Sequence, residues 1–117
     1  MLYMLTFYAV EDEWMALAED ERRAGIAEIG QWFAEHARAG KIVEGRRLGR
    51  GTKTVRLGRV RKKDLPLVSD GPFIETKEFI AGIDVVRCAD RQQAIELAAA
   101  HPIARYHAIE VRPFYTE

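Results

Sequence analysis

The run Asp70-Gly71-Pro72-Phe73 offers the chain's clearest means of doing chemistry. A carboxylate held by a rigid Gly-Pro turn at the end of a strand becomes a general base once partial burial raises its pKa. The same residues also make an ordinary turn, in which Asp before Gly accepts hydrogen bonds from its own backbone. Lys77 follows, between Glu75 and Glu78. Its ammonium could hold an anion while Thr76 caps a local turn, or the group could only fix the loop, since a surface ion pair contributes about 0–1 kcal/mol. His36 lies seven residues after Ile29 and three after Phe33, on the apolar side of a helix. There it is either a core-edge imidazole satisfied by one hydrogen bond or the proton partner of Asp70. His101, just before Pro102, reads as a helix C-terminal residue whose charge complements the dipole. His107 reads as the start of the last strand, on the side of Ile109 and Val111. The lone Cys88 reads as a packing residue. Neither histidine pair has the compact spacing of a zinc motif. There is no Gly-rich phosphate loop, no dinucleotide fingerprint and no G-x-S-x-G elbow, so neither metal nor cofactor is expected.

These residues need a scaffold, and 117 residues at 48% hydrophobic content suffice for one domain, 1–117, with its own core. Eighteen basic and eighteen acidic residues cancel, so no global field draws the chain to nucleic acid or an anionic membrane. A near-neutral surface also leaves room for a specific oligomer interface. One cysteine permits no intrachain disulfide, which fits a reducing, cytoplasmic setting. The opening MLYMLTFYAV has no basic leader and runs directly into Glu11-Asp12-Glu13, so it reads as a strand rather than a targeting segment, and no run is long enough to span a bilayer.

The expected elements follow from periodicity. Leu2 to Val10 is a buried strand and Glu13 to Ala18 a short helical turn. A helix runs from about Glu19 to Ala39, with Ile26, Ile29, Trp32 and Phe33 on one stripe and Gly40 as its left-handed stop. Asp20 is a better N-cap for it than Ala18. Ile42 to Leu48 and Thr52 to Leu57 are strands, and Leu65 to Ser69 returns as the second arm of a hairpin. Phe79 to Arg87 is a further strand, Asp90 caps a helix from Arg91 to Ala100, and Tyr106 to Arg112 is the last strand. Two βαβ-like halves with their helices on one side leave the other sheet face uncovered. With Ile83, Val85, Ile109 and Val111 facing the helices, that second face carries Gly82, Asp84, Val86, Glu110 and Arg112. It would suit a dimer interface enclosing a polar cavity, or equally a solvated face with cross-strand Glu/Arg pairs.

Asp70-Gly71-Pro72-Phe73-Ile74-Glu75-Thr76-Lys77-Glu78, with Gly82 beyond it, resembles the signature of the YCII-related "DGPF" proteins. Tyr3-Met4-Leu5, the Ala39-Gly40 helix end, Thr54-Val55-Arg56 and Glu110-Val111-Arg112-Pro113 agree in order and spacing, so the resemblance covers essentially the whole chain. It implies an α+β, ferredoxin-like β-α-β-β(hairpin)-α-β sandwich that dimerises through sheet faces into an α/β barrel. Relatives in the wider YCII group resemble muconolactone-isomerase-like proteins and include a dehydrochlorinase-like activity on a hydroxylated aromatic, with a His/Asp pair in a cleft as the suspected catalytic element. DGPF-group proteins often look like companions of extracytoplasmic-function sigma factors. The YCII type tends to carry its histidine in the first half of the long helix. Here that segment, Glu21 to Glu28, contains none.

Taken together, the sequence reads as a small-molecule-binding homodimer performing lyase-like or isomerase-like proton transfer in a dimer cleft near Asp70. His36 is the second catalytic candidate, and Gly71, Pro72, Phe73, Glu75 and Lys77 are ligand contacts. Tyr8, Asp84, Glu110 and Arg112 are outlying members of the site, with Arg112 pairing a substrate carboxylate or holding Glu110. The alternative is a non-catalytic regulatory or sensor protein whose basic hairpin (Arg56, Arg59, Arg61, Lys62, Lys63) meets a protein partner such as a sigma factor. The hairpin holds no aromatic residue for base stacking, so nucleic acid is not an expected partner.

Overall fold

A computed structural model describes residues 1–49, 51–56, 67–70 and 78–116. For Arg56 and Leu67–Asp70 it describes the backbone alone. The order is β1 (Leu2–Val10), α1 (Glu11–Ala16), α2 (Glu19–Arg38), β2 (Ile42–Arg47), β3 (Lys53–Arg56), β4 (Leu67–Asp70), β5 (Glu78–Arg87), α3 (Arg91–Ala99), a 3-10 helix (Pro102–Arg105) and β6 (Ile109–Pro113). Four strands form an antiparallel sheet in the order β2-β5-β1-β6, while β3 and β4 pair separately as the expected hairpin, Lys53 opposite Asp70 and Arg56 opposite Leu67. Mixed α and β with the helices over an antiparallel sheet is the ferredoxin-like α+β arrangement expected from the sequence. Gly71, Pro72, Phe73, Glu75 and Lys77 lie outside the described residues, as do the basic side chains of the hairpin.

Local signals set most boundaries. Gly40, with φ 75°, ends α2, and the Asp90 carboxylate caps α3 by accepting the Gln93 amide at 2.8 Å. At the start of α2 the expected cap is not used: Ala18 occupies the N-cap without a side-chain bond. Glu19, Asp20 and Glu21 instead put three carboxylates in the positive first turn, and the Arg22 guanidinium donates to the carbonyls of Met15 and Leu17, bracing the link between α1 and α2. The last strand begins later than expected. The amides of Tyr106 and His107 both bond the Ile103 carbonyl, at 2.9 and 2.8 Å, which prolongs the turn after the 3-10 helix and leaves His107 before the strand rather than in it.

Register decides which residues face the helices. Tyr3 pairs with Val86 and Pro113, Leu5 with Asp84 and Val111, and Phe7 with Gly82 and Ile109. Opposed residues of an antiparallel pair share a face, so this set lies under the helices. Tyr3, Leu5, Phe7 and Val86 join Trp32, Cys88, Ala94, Leu97 and Ala98 in the buried core. The other face carries Met4, Thr6 and Tyr8 with Val85, Ile83, Ile80, Glu110 and Arg112. The expected assignment of β5 was therefore inverted: Ile83 and Val85 face away from the helices, and Asp84 faces towards them. Composition favoured the two β-branched residues as the core set, but Leu5 and Val86 at the centre of the sheet fix the opposite phase.

Candidate active site

A cavity of about 730 Å³ lies between the helix-side face of the sheet and the helices α1 and α2. Its size is that of a small-molecule pocket. Aromatic rings from four elements and one turn line it: Phe7 of β1, Trp14 of α1, Trp32 and Phe33 of α2, Phe79 of β5, and Tyr106 just after the 3-10 helix. The long helix does not seal its apolar stripe onto the sheet. Gly25 and Trp32 are its buried residues, whereas Ile26 is 54% and Phe33 38% exposed, and both line the cavity. The stripe expected to be core is thus partly the wall of a pocket.

Glu11, Arg46, Arg47, Tyr106 and His107 line the cavity, but the two ionisable residues in its wall that are buried are Asp84 and His101. Asp84 comes from β5, next to the sheet centre, and is 8% exposed. Among the described residues it makes no salt bridge, and burial raises its pKa from 3.8 to about 6. It has room because its partner across the strands is Gly45: a Cβ there would lie 2.6 Å from Asp84 Oδ1 and 2.6 Å from Phe33 Cε2. Glycine here gives the carboxylate its space, which no other residue could do without displacing it.

His101 is 3% exposed, and burial lowers its pKa to about 4, so at neutral pH the imidazole is uncharged. Its ring is 4.6 Å from Phe7 and 4.5 Å edge-on from Trp32. Nδ1 accepts the Ile103 amide at 3.1 Å, which places the proton on Nε2. This overturns the reading of His101 as a charged helix terminus: the residue instead caps the 3-10 helix, and the apolar rings around it exclude the charged form. Arg105 pairs with Glu28 and Trp32 Nε1 donates to the Leu97 carbonyl at 3.1 Å, fastening α2 to the segments on either side of His101.

The remaining candidates are dispersed. His36 is half-buried and edge-on to Trp32 at 4.9 Å, outside the cavity lining. Asp70 closes β4, opposite Lys53. Tyr8, Glu110 and Arg112 lie on the opposite sheet face from Asp84, where Arg112 Nη2 pairs with Glu110 Oε1 at 3.0 Å. The structure therefore parts Asp84 from Tyr8, Glu110 and Arg112, the three residues with which the sequence grouped it. His107, 6% exposed, is 3.6 Å through Nδ1 from Glu13 of α1. Cys88 is buried, and burial pushes its thiol pKa up, as suits a packing residue. Among the described residues no three His, Cys, Asp or Glu side chains gather into a metal site, and no helix is long and apolar enough to cross a membrane. Asp84 was legible as a lone acid within an apolar strand; His101 carried no signal beyond its place before a proline.

This architecture has a family. The model of the YCII-related domain matches residues 1–116, and the chain belongs to that family. Among solved structures it is similar to 5-chloro-2-hydroxyhydroquinone dehydrochlorinase (TftG) from Burkholderia phenoliruptrix AC1100, determined in complex with 2,5-dihydroxybenzoquinone. The TM-score is 0.56 at 12% identity, over 100% of this chain and 96% of that one, a likeness of fold. No curated protein matches the sequence.

Proposed function

We propose that this chain is a single-domain, cytoplasmic YCII-related protein of the DGPF subgroup that binds a small oxygenated molecule in the aromatic cavity and transfers a proton there, in the manner of a lyase or isomerase. The observation that carries this reading is Asp84: a buried carboxylate with no salt-bridge partner among the described residues and a pKa near 6, set in the wall of a ligand-sized cavity. A group so placed lowers stability at neutral pH, where it must ionise without a partner, and is half-ionised close to neutrality, where a general base works best. Aromatic walls suit a planar ligand. That the fold neighbour was solved with a dihydroxybenzoquinone supports the same chemical class.

The proposed assembly is a homodimer through the helix-free face. Its centre holds Met4, Ile83 and Val85 around Thr6, which is 3% exposed with a hydroxyl that finds no partner among the described residues. The pairs Glu44–Arg46 and Glu110–Arg112 flank it. An apolar centre with a charged rim is the anatomy of an interface. Asp70, with its signature neighbours Gly71, Pro72, Phe73, Glu75 and Lys77, is the second candidate base and ligand-contacting segment.

Titration with 2,5-dihydroxybenzoquinone, followed by tryptophan fluorescence and amide chemical shifts, tests the site. The expected result is quenching, shifts at Phe33, Gly45 and Asp84, and affinity that falls as pH rises through about 6, because ring oxygens then meet an ionised carboxylate. Asp84→Asn removes that pH dependence. If Asp70→Asn removes it and Asp84→Asn does not, the base is Asp70. Shifts confined to the helix-free face contradict the site.

A further inference from the structure

Arg112, the residue expected to pair a substrate carboxylate, is paired with Glu110 on the helix-free face. Another arginine is placed for that task. Arg47 ends β2 and lines the aromatic cavity. Strand register puts it on the helix side: Arg47 lies opposite Gly82 and Gly82 opposite Phe7, while Gly45, two residues back on the same strand, lies opposite Asp84. Its neighbour Arg46 takes the other face and pairs with Glu44 at 3.0 Å. Arg47 has no such carboxylate, and among the described residues its guanidinium makes no hydrogen bond, ion pair or ring contact. The backbone beneath it is fixed, because the Leu48 amide continues the ladder to the Ala81 carbonyl at 2.9 Å. The surface beside it is bare, since Gly82 brings no side chain to a position where a Cβ would lie 3.7 Å from the Arg47 Cα. Across these two strands Asp84 faces one glycine and Arg47 another, which leaves the cavity floor open at both positions. β2 is an edge of the sheet and Arg47 is exposed, whereas Phe7 and Trp32 in the same lining are buried. The cavity thus grades from apolar inside to cationic at its rim.

We propose that Arg47 is the specificity residue of this cavity, holding the carboxylate of a planar ring acid at the rim while the ring lies among the aromatic side chains. This rests on the cavity being the ligand site, and it narrows the ligand from small oxygenated molecules to cyclic carboxylic acids. Such an acid has the same gradation as the cavity, an apolar body that gains by leaving water and a charged end that loses by it. At the rim the carboxylate keeps part of its hydration, and two parallel N–H groups of the guanidinium meet its two oxygens. A phosphate dianion asks for a second cation, and the adjacent one, Arg46, is taken by Glu44. Held by its carboxylate, the ring enters with its other substituents towards the buried part of the lining, to which Asp84 belongs.

The probes are benzoate and benzamide, which share a shape and differ in charge. They are titrated by NMR into Asp84→Asn protein, in which no buried carboxylate repels the anion. Benzoate should bind at least about fivefold more tightly than benzamide, as expected for a charge-assisted hydrogen bond at a partly exposed site. Adding Arg47→Gln should remove that preference by weakening benzoate alone, and Arg47→Lys, which keeps the charge without the fork, should restore part of it. In protein with Arg47 intact, its Nε–H resonance should move downfield with benzoate and stay in place with benzamide, a readout that does not require any Arg47 variant to fold. Equal affinity for the two probes, no binding of benzoate, a preference that survives Arg47→Gln, or an unmoved resonance overturns the proposal. Benzoquinone shifts at Phe33, Gly45 and Asp84 without a benzoate preference sink Arg47 and leave the cavity as the site. A benzoate preference without a benzoquinone pH step near 6 removes Asp84 as the base and leaves Arg47 in its role, so the two failures are distinguishable.

Discussion

The two faces of the central sheet carry charge in opposite ways. On the helix-free face Glu44 and Arg46, and Glu110 and Arg112, pair along their own strands with side chains from 42% to 69% exposed. Pairs of this kind contribute at most about 1 kcal/mol and explain themselves as solvated surface or interface rim. On the helix side a single carboxylate, Asp84, is buried without a salt-bridge partner among the described residues, and burial against aromatic rings keeps the imidazole of His101, which lines the same cavity, neutral. The first arrangement minimises the cost of charge and the second accepts it. Charge that costs stability and is not compensated locally is the better pointer to function.

The sharpest way to break this contrast is Asp84→Asn. It should lower proton transfer by about two to four orders of magnitude, the range for loss of a general base, while stability at pH 7 stays level or rises because a buried charge has gone. A loss of both, measured by turnover and chemical denaturation, would make Asp84 structural. Trp32→Ala should act the other way. It removes a buried indole, its bond to the Leu97 carbonyl and one of the rings around His101, and should cost about 3–5 kcal/mol in urea unfolding.

Stability against pH sharpens the comparison further. The raised pKa of Asp84 means the folded state binds more protons than the unfolded state between about 3.8 and 6, so its contribution is full below 3.8 and is lost as pH rises through 6. The lowered pKa of His101 works oppositely: its contribution is full above 6.5 and is lost as pH falls through about 4. In the wild type the two slopes largely cancel between about 4 and 6. In Asp84→Asn the histidine acts alone, and unfolding free energy should climb by on the order of 3 kcal/mol between pH 4 and 6.5, at about 1.4 kcal/mol per pKa unit. A flat profile in the variant would deny the burial of His101.

Gly45→Ala should have a smaller effect on stability, about 1 kcal/mol, because half-exposed Phe33 can yield. It should still displace the Asp84 carboxylate and weaken benzoquinone binding. Arg112→Ala, on the other face, should change monomer stability by less than about 1 kcal/mol and leave binding in the cavity untouched. Val85→Asp on that same face should dissociate the proposed dimer in sedimentation experiments without altering the cavity.

The sequence disclosed the scaffold well where local chemistry decides structure. The first strand, the Gly40 stop and the Asp90 cap all lie where residue type and spacing put them, because each depends on a few adjacent residues. It disclosed the site poorly, because the site depends on strand phase and long-range packing. Ile83 and Val85 look like core and Asp84 like part of the uncovered sheet face until Leu5 and Val86 are seen to set the register. His101 follows a helix and precedes a proline, which suggests an exposed terminus. Only the convergence of Phe7 from β1 and Trp32 from α2 makes it a buried, neutral donor. Gly82 was noticed as part of a signature, but its physical reason lies across the sheet, where a Cβ would come within 2.9 Å of the Arg46 carbonyl oxygen.

The most direct test is the titration of Asp84 itself, followed through its side-chain carboxyl carbon by NMR in the wild-type protein. A midpoint near 6 is the value this account requires of a buried, unpaired base. A midpoint near 4, that of a solvated carboxylate, would show that the cavity does not hold Asp84 out of water, and the proton-transfer site would have to be sought elsewhere in the molecule.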